Sequence, residues 1–189
     1  MSRLPRLSPG DLPPASKALL EAGRAMMGFM PNDALDMARN PDLLEGVSAM
    51  VASVYGPGRL DPGLKRLIGH VASAAAGCVY CQQHTAHGAL GSGEDADRVA
   101  HAWEYETHPA FSEAERAALR LAHLGSLSPS QVGDADFEAA REHHSDDEMV
   151  EIVAVIAMFG FLNRWNAVMR TDIEPAPAAA FASIGAVSR

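Results

Sequence analysis

The sequence predicts an all-α fold, a single helical domain of about eight to ten helices over residues 1–189. Apolar residues recur at the spacing of three and four residues that is typical of amphipathic helices. Helix-start signals precede most of these segments, and no segment alternates apolar and polar residues as a half-buried strand does. The composition agrees, because Ala-rich stretches with only three Tyr and six Phe favour helix over sheet.

Caps and breaks mark the helices of the first half. Asn40 and Asp61 are typical N-cap residues, and each is followed by a proline that suits the first helical turn. Gly77 separates the third helix from the fourth, because glycine commonly ends helices. With the apolar spacing, these signals predict helices over residues 15–27, 42–55, 62–76 and 78–90.

Two capping boxes mark helices of the second half. Ser112 and Ser145 are each followed three residues later by a glutamate. Within each Ser–Glu pair, the side chain of one residue can accept the backbone N–H of the other at a helix start. We expect Pro175 to end the last of these helices, with an Ala-rich tail after it. The predicted helices cover residues 95–105, 116–125, 134–144 and 145 to about 171.

The fold prediction includes a possible internal duplication. Residues 61–84 align without gaps on residues 146–169, where the two cysteines fall on Asn163 and Asn166. The apolar positions largely coincide, although almost no residue is identical. Two interpretations follow: an ancient duplication whose second copy has lost its thiols, or two amphipathic helices that share a period of 3.6 residues.

Charge and hydropathy exclude some classes of partner. Fifteen basic and 24 acidic residues give a net charge of −9, with no cluster of Lys and Arg, so we expect no nucleic-acid partner. The most apolar run, residues 149–162, is short and contains Glu151, so we expect no membrane partner. The N-terminal residues lack the apolar region of a secretory signal, and we therefore expect a cytoplasmic protein.

The only two cysteines, Cys78 and Cys81, are three residues apart and are followed three residues later by His84. Cysteines at this spacing can close a disulfide on one helical turn. In the cytoplasm, such a pair is more often redox-active or metal-binding than a structural crosslink. A helix N-terminus lowers a thiol pKa, and His84 lies about 60° from Cys81 around a helix, where it could hold the thiol proton. We therefore predict a reversible disulfide.

Two other interpretations compete with a redox pair. Cys78, Cys81, His84 and His87 are good zinc ligands, but steps of three residues spread them over roughly half the circumference of a helix. We therefore predict no metal and no cofactor. Alternatively, the cysteines are small apolar residues of the core. The polar residues that follow them, Gln-Gln-His-Thr, count against a purely apolar slot.

The pattern S-x3-G-C-x-Y-C-x2-H over residues 73–84 resembles the active-site signature of the carboxymuconolactone decarboxylase / alkylhydroperoxidase D-like family, particularly its peroxidase-related branch. The run F-G-F-L-N-R-W-N at residues 159–166 and the helix start at 145–148 also look like that branch. The resemblance covers about residues 40–170. It implies an all-helical fold that assembles into homo-oligomers.

The resemblance also implies a thiol peroxidase that reduces hydrogen peroxide or organic hydroperoxides. By matching positions, Cys81 would be oxidised to a sulfenic acid and Cys78 would resolve it as a disulfide, which a thiol reductant would then reduce. Two rival functions are kept. One is a decarboxylase-type lyase that acts on a small lactone acid without needing the thiol pair, and the other is a non-catalytic redox-sensing oligomer.

One position departs from the family pattern. The family usually carries a glutamate twelve residues before the first cysteine, as the far end of a proton relay, and Arg66 stands there. The usual family histidine is Thr85 in this chain, whereas His84 matches the peroxidase-related branch. Arg66 could instead lower a thiol pKa by its charge. The sequence leaves open which acid completes the relay, the candidates being Glu45, Glu104, Glu115 and Glu151.

Polar and apolar residues outside the motif allow further expectations. Asn163 and Asn166 belong to a polar cluster in an apolar helix, which either forms hydrogen bonds between subunits or lines the active cavity, and we favour the first. Phe29 and the methionines beside it are expected in the core or a subunit interface. His70 is expected to be an ordinary core or surface residue, and His87 to be a second-shell or oligomer contact.

Overall fold

Ten α-helices and two short 3₁₀ helices make up the structure, a computed structural model that describes residues 2–5 and 7–185. These ranges contain no strand, so the predicted all-α class is confirmed. The 3₁₀ helices are Pro9–Asp11 and Ala102–Glu104. The α-helices are α1 Pro14–Met27, α2 Asn32–Met37, α3 Pro41–Tyr55, α4 Pro62–Ala75, α5 Val79–Gly91, α6 Ala96–Ala100, α7 Glu113–Gly125, α8 Asp134–Arg141, α9 Asp146–Met169 and α10 Pro175–Ser183.

Side-chain caps start the helices where the sequence predicts them. The Asp61 carboxylate accepts the Leu64 N–H at 2.9 Å at the start of α4, and Asn40 accepts an N–H in the same way before α3. Both predicted capping boxes are present, at Ser112 before α7 and at Ser145 before α9. These contacts span only three residues, which is why the sequence predicts them well.

Three parts of the chain differ from the sequence prediction. Helix α2 was not predicted, because its six residues are too few to show a clear apolar period. Residues 95–105 do not form one helix, because α6 ends at Ala100 and a 3₁₀ turn follows. The expected tail after α9 contains α10, where Pro175 is a first-turn residue rather than a stop. Proline is compatible with both roles, since the first helical turn needs no N–H donor.

Helix α4 lies at the centre of the core and packs against α5, α7 and α9. Its buried face includes Leu67, Ile68 and Val71, none of which is exposed to solvent. Gly69 allows α9 to approach closely, because a Cβ there would lie 2.4 Å from the ring of Phe159. A second, smaller apolar cluster lies beneath α1–α3. Helix α10 packs along α5, and this contact brings the C-terminal segment to the site described below.

A buried ion pair connects α4 to α9 and to the loop before α4. The Lys65 ammonium, 3% exposed, lies 2.8 Å from the Glu151 carboxylate. Glu151 also accepts the backbone N–H groups of Arg59 and Leu60. Partial burial raises the pKa of Glu151, but the bonds from the Arg59 N–H and from Lys65 outweigh it and lower the pKa overall. Glu151 therefore has a structural role.

Helix α9 has a different backbone from the segment on which it aligns. The first segment breaks into α4 and α5 at Gly77, whereas α9 continues without a break over 24 residues. A shared apolar period is sufficient to explain this alignment. By length and composition alone, α9 is also the one helix among the described residues that could cross a membrane, a property that core helices often share.

Candidate active site

The turn between α4 and α5 places the two cysteines at a helix start. Gly77 has φ +67°, in the left-handed region that favours glycine. The Cys78 N–H donates to the Ser73 carbonyl at 3.0 Å and closes the turn. Cys78 is thus the N-cap residue of α5, and Cys81 lies in its first turn. The positive φ of this turn accounts for the glycine of the motif.

Both thiols are free and buried, and their ionisation differs. The hydrogen bond from the Cys81 thiol lowers the pKa of Cys78, and the backbone N–H groups of Cys81 and Tyr80 lower it further. The same bond, together with burial, raises the pKa of Cys81 well above the ordinary thiol value. Cys78 is therefore the sulfur that ionises first, because the helix start supplies donors only to it. The catalytic roles implied for Cys81 and Cys78 stay predictions.

The base predicted beside the thiols, His84, is bonded to a carboxylate from the C-terminal segment. Its Nε2 atom lies 2.6 Å from the Glu174 Oε2 atom, and both side chains are largely buried. Glu174 is the N-cap residue of α10 and directly precedes Pro175. Burial raises the pKa of Glu174, but the bonds from His84 and the Asn32 N–H lower it overall. Glu174 is thus an ionised partner for the imidazole.

Two further donors hold the Glu174 carboxylate. Its Oε1 atom accepts the Tyr80 hydroxyl at 3.0 Å and the backbone N–H of Asn32. The Tyr80 ring also stacks on the His84 ring at 4.2 Å. Burial raises the pKa of Tyr80, and the charges of Asp33 and Glu174 raise it further, so the phenol stays a neutral donor. Glu174 therefore has fixed partners on both oxygens, which orients His84.

A second carboxylate, Asp33 of α2, reaches the thiols through Asn166 of α9. The Asn166 amide nitrogen lies 3.4 Å from the Cys81 sulfur and 3.4 Å from an Asp33 carboxylate oxygen. Asp33 raises the pKa of both cysteines by its charge. Asn163 and Asn166 are each buried within this chain, so the preference for intersubunit hydrogen bonds was wrong for them. Asn166 instead belongs to the active-site cluster.

The carboxylate that contacts His84 is Glu174, and it is none of the four glutamates expected to complete a relay. Glu45 and Glu104 are exposed, Glu115 bonds Arg98 and Ser112, and Glu151 bonds Lys65. Glu174 was missed because its contacts lie far away in sequence. One local signal was present, since an acidic residue directly before a proline is typical of a helix start.

The remaining residues singled out by the sequence take up positions around this cluster. The Phe29 ring contacts the rings of His84 and His87, each with centroids 5.3 Å apart, so it forms an aromatic wall of the site. His70 is buried and hydrogen-bonded, as expected of a core residue, and burial lowers its pKa to about 4. Arg66 does not contact the relay. Its guanidinium lies 3.8 Å from the centroid of the Tyr55 ring.

Comparisons with known proteins place this site in a family. The model of the carboxymuconolactone decarboxylase family matches residues 41–124. The debrominase Bmp8, solved as a cysteine-to-alanine variant in complex with 2,3,4-tribromopyrrole, is 34% identical, with a TM-score of 0.90 over 97% of this chain and 100% of that one. The chain belongs to the carboxymuconolactone decarboxylase family.

Three further proteins are also similar to this chain. An uncharacterized peroxidase-related protein from Ralstonia eutropha, solved as an alkylhydroperoxidase core, is 29% identical, with a TM-score of 0.78 over 93% of this chain and 94% of that one. The uncharacterized proteins YnjA of Escherichia coli and YdfG of Bacillus subtilis are 26% and 32% identical over 58% and 48% of this chain. Each match spans 60% of the relative's own length.

Proposed function

We propose that the chain is a thiol-dependent oxidoreductase in which Cys78 and Cys81 transfer two electrons to a hydroperoxide. The observation that carries the proposal is a buried dithiol with opposite pKa shifts at the start of α5, the helix that also carries His84, whose partner is the ionised Glu174. A dithiol of this kind loses two electrons in total when it is oxidised to a disulfide. The peroxidase-related relative from R. eutropha supports the choice of acceptor.

The reaction balances with the groups present. The ionised sulfur attacks one oxygen of the O–O bond, an S–O bond forms, and the alcohol or water leaves after taking up a proton. His84, oriented by Glu174, is the group assigned to supply that proton. The second thiol then attacks the sulfenic sulfur, water leaves and the disulfide forms. An external thiol reductant returns the pair to its reduced state.

A second candidate is reductive dehalogenation of an aromatic ring. It is favoured by the similarity to the debrominase Bmp8, and by the aromatic wall that Phe29 and Tyr80 form beside His84. Here the thiolate would take the bromine as the C–Br bond breaks, while the ring carbon takes up a proton. The second thiol would displace bromide and form the disulfide. The electron count is the same, so only the acceptor distinguishes the two functions.

A single-turnover assay tests both candidates on the same protein. The reduced chain is mixed without oxygen with one equivalent of cumene hydroperoxide, or of 2,3,4-tribromopyrrole, and thiols and products are measured over time. We expect faster loss of both thiols with the hydroperoxide, and a mass decrease of two hydrogens that dithiothreitol reverses. Bromide release matched to thiol loss would favour the second candidate. Persistent free thiols with both acceptors would overturn the dithiol proposal, and the variant with Cys78→Ser and Cys81→Ser is the control.

We further propose that the chain works in the cytoplasm, and that it works as a homo-oligomer, as the resemblance implies. The outer face of α9 carries exposed apolar side chains, namely Val150, Val153, Phe161 and Val168. Such a stripe is typical of a surface that a second subunit covers. Sedimentation analysis of the parent and of a Val150→Glu, Phe161→Glu variant tests this. We expect the variant to sediment as a smaller species, and a parent that is monomeric would overturn the proposal.

A further inference from the structure

Three potential metal ligands lie close together on the surface. None of the contacts described below for them involves a cysteine. Asp97 lies on α6, His101 directly follows that helix, and His108 follows the 3₁₀ turn. Their ligand atoms all lie within 4.8 Å of one another. The two imidazole rings are nearly parallel, with centroids 4.5 Å apart, and both present a nitrogen to the Asp97 carboxylate.

The distances suit a small divalent ion. The Nδ1 atom of His101 is 3.2 Å from one Asp97 carboxylate oxygen, and the Nε2 atom of His108 is 3.8 Å from the other. Bonds of about 2.0–2.1 Å in a tetrahedral zinc site place neighbouring ligand atoms about 3.4 Å apart. Small side-chain rotations therefore bring all three atoms to bonding distance. The His108 ring also packs edge-on against Phe111, which limits its orientation.

The surrounding charge favours a cation. Arg98, the residue after Asp97, is paired with Glu94 at 2.8 Å and also with Glu115, and it donates to the Ala110 carbonyl. Two carboxylates thus already balance the Arg98 charge, so Arg98 does not neutralise the charge of Asp97. Asp97 is 61% exposed and His101 is 38% exposed, so an ion can enter from solvent and keep a water as its fourth ligand.

We propose that Asp97, His101 and His108 bind one Zn²⁺ ion per chain. Two imidazole nitrogens and one carboxylate suit zinc and related transition ions, whereas Mg²⁺ and Ca²⁺ prefer sets made only of oxygen. On binding, each ring carries its single proton on the nitrogen away from the ion. His101 therefore gives up its 2.9 Å contact with the Asp97 carbonyl, and the His108 Nδ1 atom no longer accepts the Ala110 N–H at 3.4 Å. The site is independent of the proposed dithiol function.

Equilibrium dialysis against Zn²⁺ tests the site. The full chain carrying Cys78→Ser and Cys81→Ser is used, because thiols also bind zinc. We expect about one equivalent of Zn²⁺ per chain, and an affinity reduced by at least about 10- to 100-fold when His101→Gln and His108→Gln are added. His143→Gln, at an exposed histidine between α8 and α9, is the matched control and should leave the affinity unchanged.

Two readouts make the result decisive. Co²⁺ bound in place of Zn²⁺ should show the visible absorption of a four-coordinate ion, and the two histidine substitutions should abolish it. Circular dichroism confirms that the variants keep their helices. Undiminished Zn²⁺ binding in the double histidine variant, no Zn²⁺ binding in the parent, or equal affinity for Mg²⁺ would each overturn the proposal.

Discussion

The start of α5 and the segment that leads into α10 both supply groups to the candidate site, and they differ in how these groups are brought together. Cys78, Cys81 and His84 lie within about two turns at the start of one helix, inside the region that the family model matches. Glu174 lies outside that region, 90 residues after His84. The thiols and the imidazole are therefore placed by local sequence, whereas the position of the Glu174 carboxylate depends on packing between segments far apart in the chain.

The two regions also stabilise charge differently. The helix start offers Cys78 backbone donors that the turn at Gly77 leaves unpaired, so no distant partner is needed. Glu174 is largely buried, and a buried carboxylate is stable only when its lone pairs are satisfied. Three donors from α5 and α2 satisfy them. The thiols at the start of α5 and the Glu174 carboxylate can thus be removed by separate substitutions.

The largest effect on activity is expected from substitution of the two cysteines at the start of α5. Cys78→Ser or Cys81→Ser should each reduce multiple-turnover reduction by at least about 10³-fold, because a lone thiol cannot regenerate through a disulfide. Steady-state consumption of hydroperoxide measures this loss. Full activity in both variants would contradict the dithiol mechanism and favour the lyase function.

The same two variants assign the roles of the sulfurs. If Cys81 reacts first, as the family resemblance implies, Cys78→Ser should yield one sulfenic acid that dimedone traps. If the sulfur that ionises first is also the one that reacts, the trapped species should appear in Cys81→Ser instead. Mass spectrometry of the dimedone adduct distinguishes the outcomes.

An intermediate effect is expected from the distant carboxylate. Glu174→Gln keeps the size of the side chain and an acceptor for Tyr80, but it removes the charge opposite His84. We expect kcat/KM to fall by about 10²-fold, the lower end of a general acid–base contribution. His84→Ala should lose at least as much, and combining both should add little because they act as one unit. Glu142→Gln, at an exposed position of the same residue type, is the control.

The pH dependence gives this prediction a second measurement. The pKa of Glu174 is lowered in the folded chain, so the pair stabilises the fold above the ordinary glutamate pKa. That stabilisation is lost as the pH falls through the lowered folded value. Denaturation at acidic and neutral pH should therefore differ less for Glu174→Gln than for the parent. An unchanged difference would contradict the assignment of an ionised Glu174.

The smallest effect is expected from Asp33, the second carboxylate outside the matched region. Its charge raises the pKa of both thiols, so Asp33→Asn should shift thiolate formation to lower pH, with a change in rate below about tenfold. Thiolate absorbance during a pH titration measures the shift. Asp42→Asn, exposed at the start of α3, is the control. A shift to higher pH would show that Asp33 acts through Asn166 rather than by its charge.

The sequence predicts those features whose causes lie within a few residues. The caps at Asp61 and Ser112, and the cysteine pair after Gly77, depend on neighbours three or four positions away, so pattern and residue type suffice. The relay could not be predicted, because the partners of Glu174 lie on α2 and α5 and no local pattern reports those contacts. For the same reason Phe29 was expected in a core or interface rather than against His84.

The 90-residue separation between His84 and Glu174 also has a consequence for biosynthesis. At translation rates of roughly 5–20 residues per second, the 90 residues that separate His84 from Glu174 take about 5–18 s to be added. The growing polypeptide therefore carries both sulfurs before their acid exists. The contact between His84 and Glu174 therefore forms only after the segment that leads into α10 has been synthesised and α10 has packed against α5.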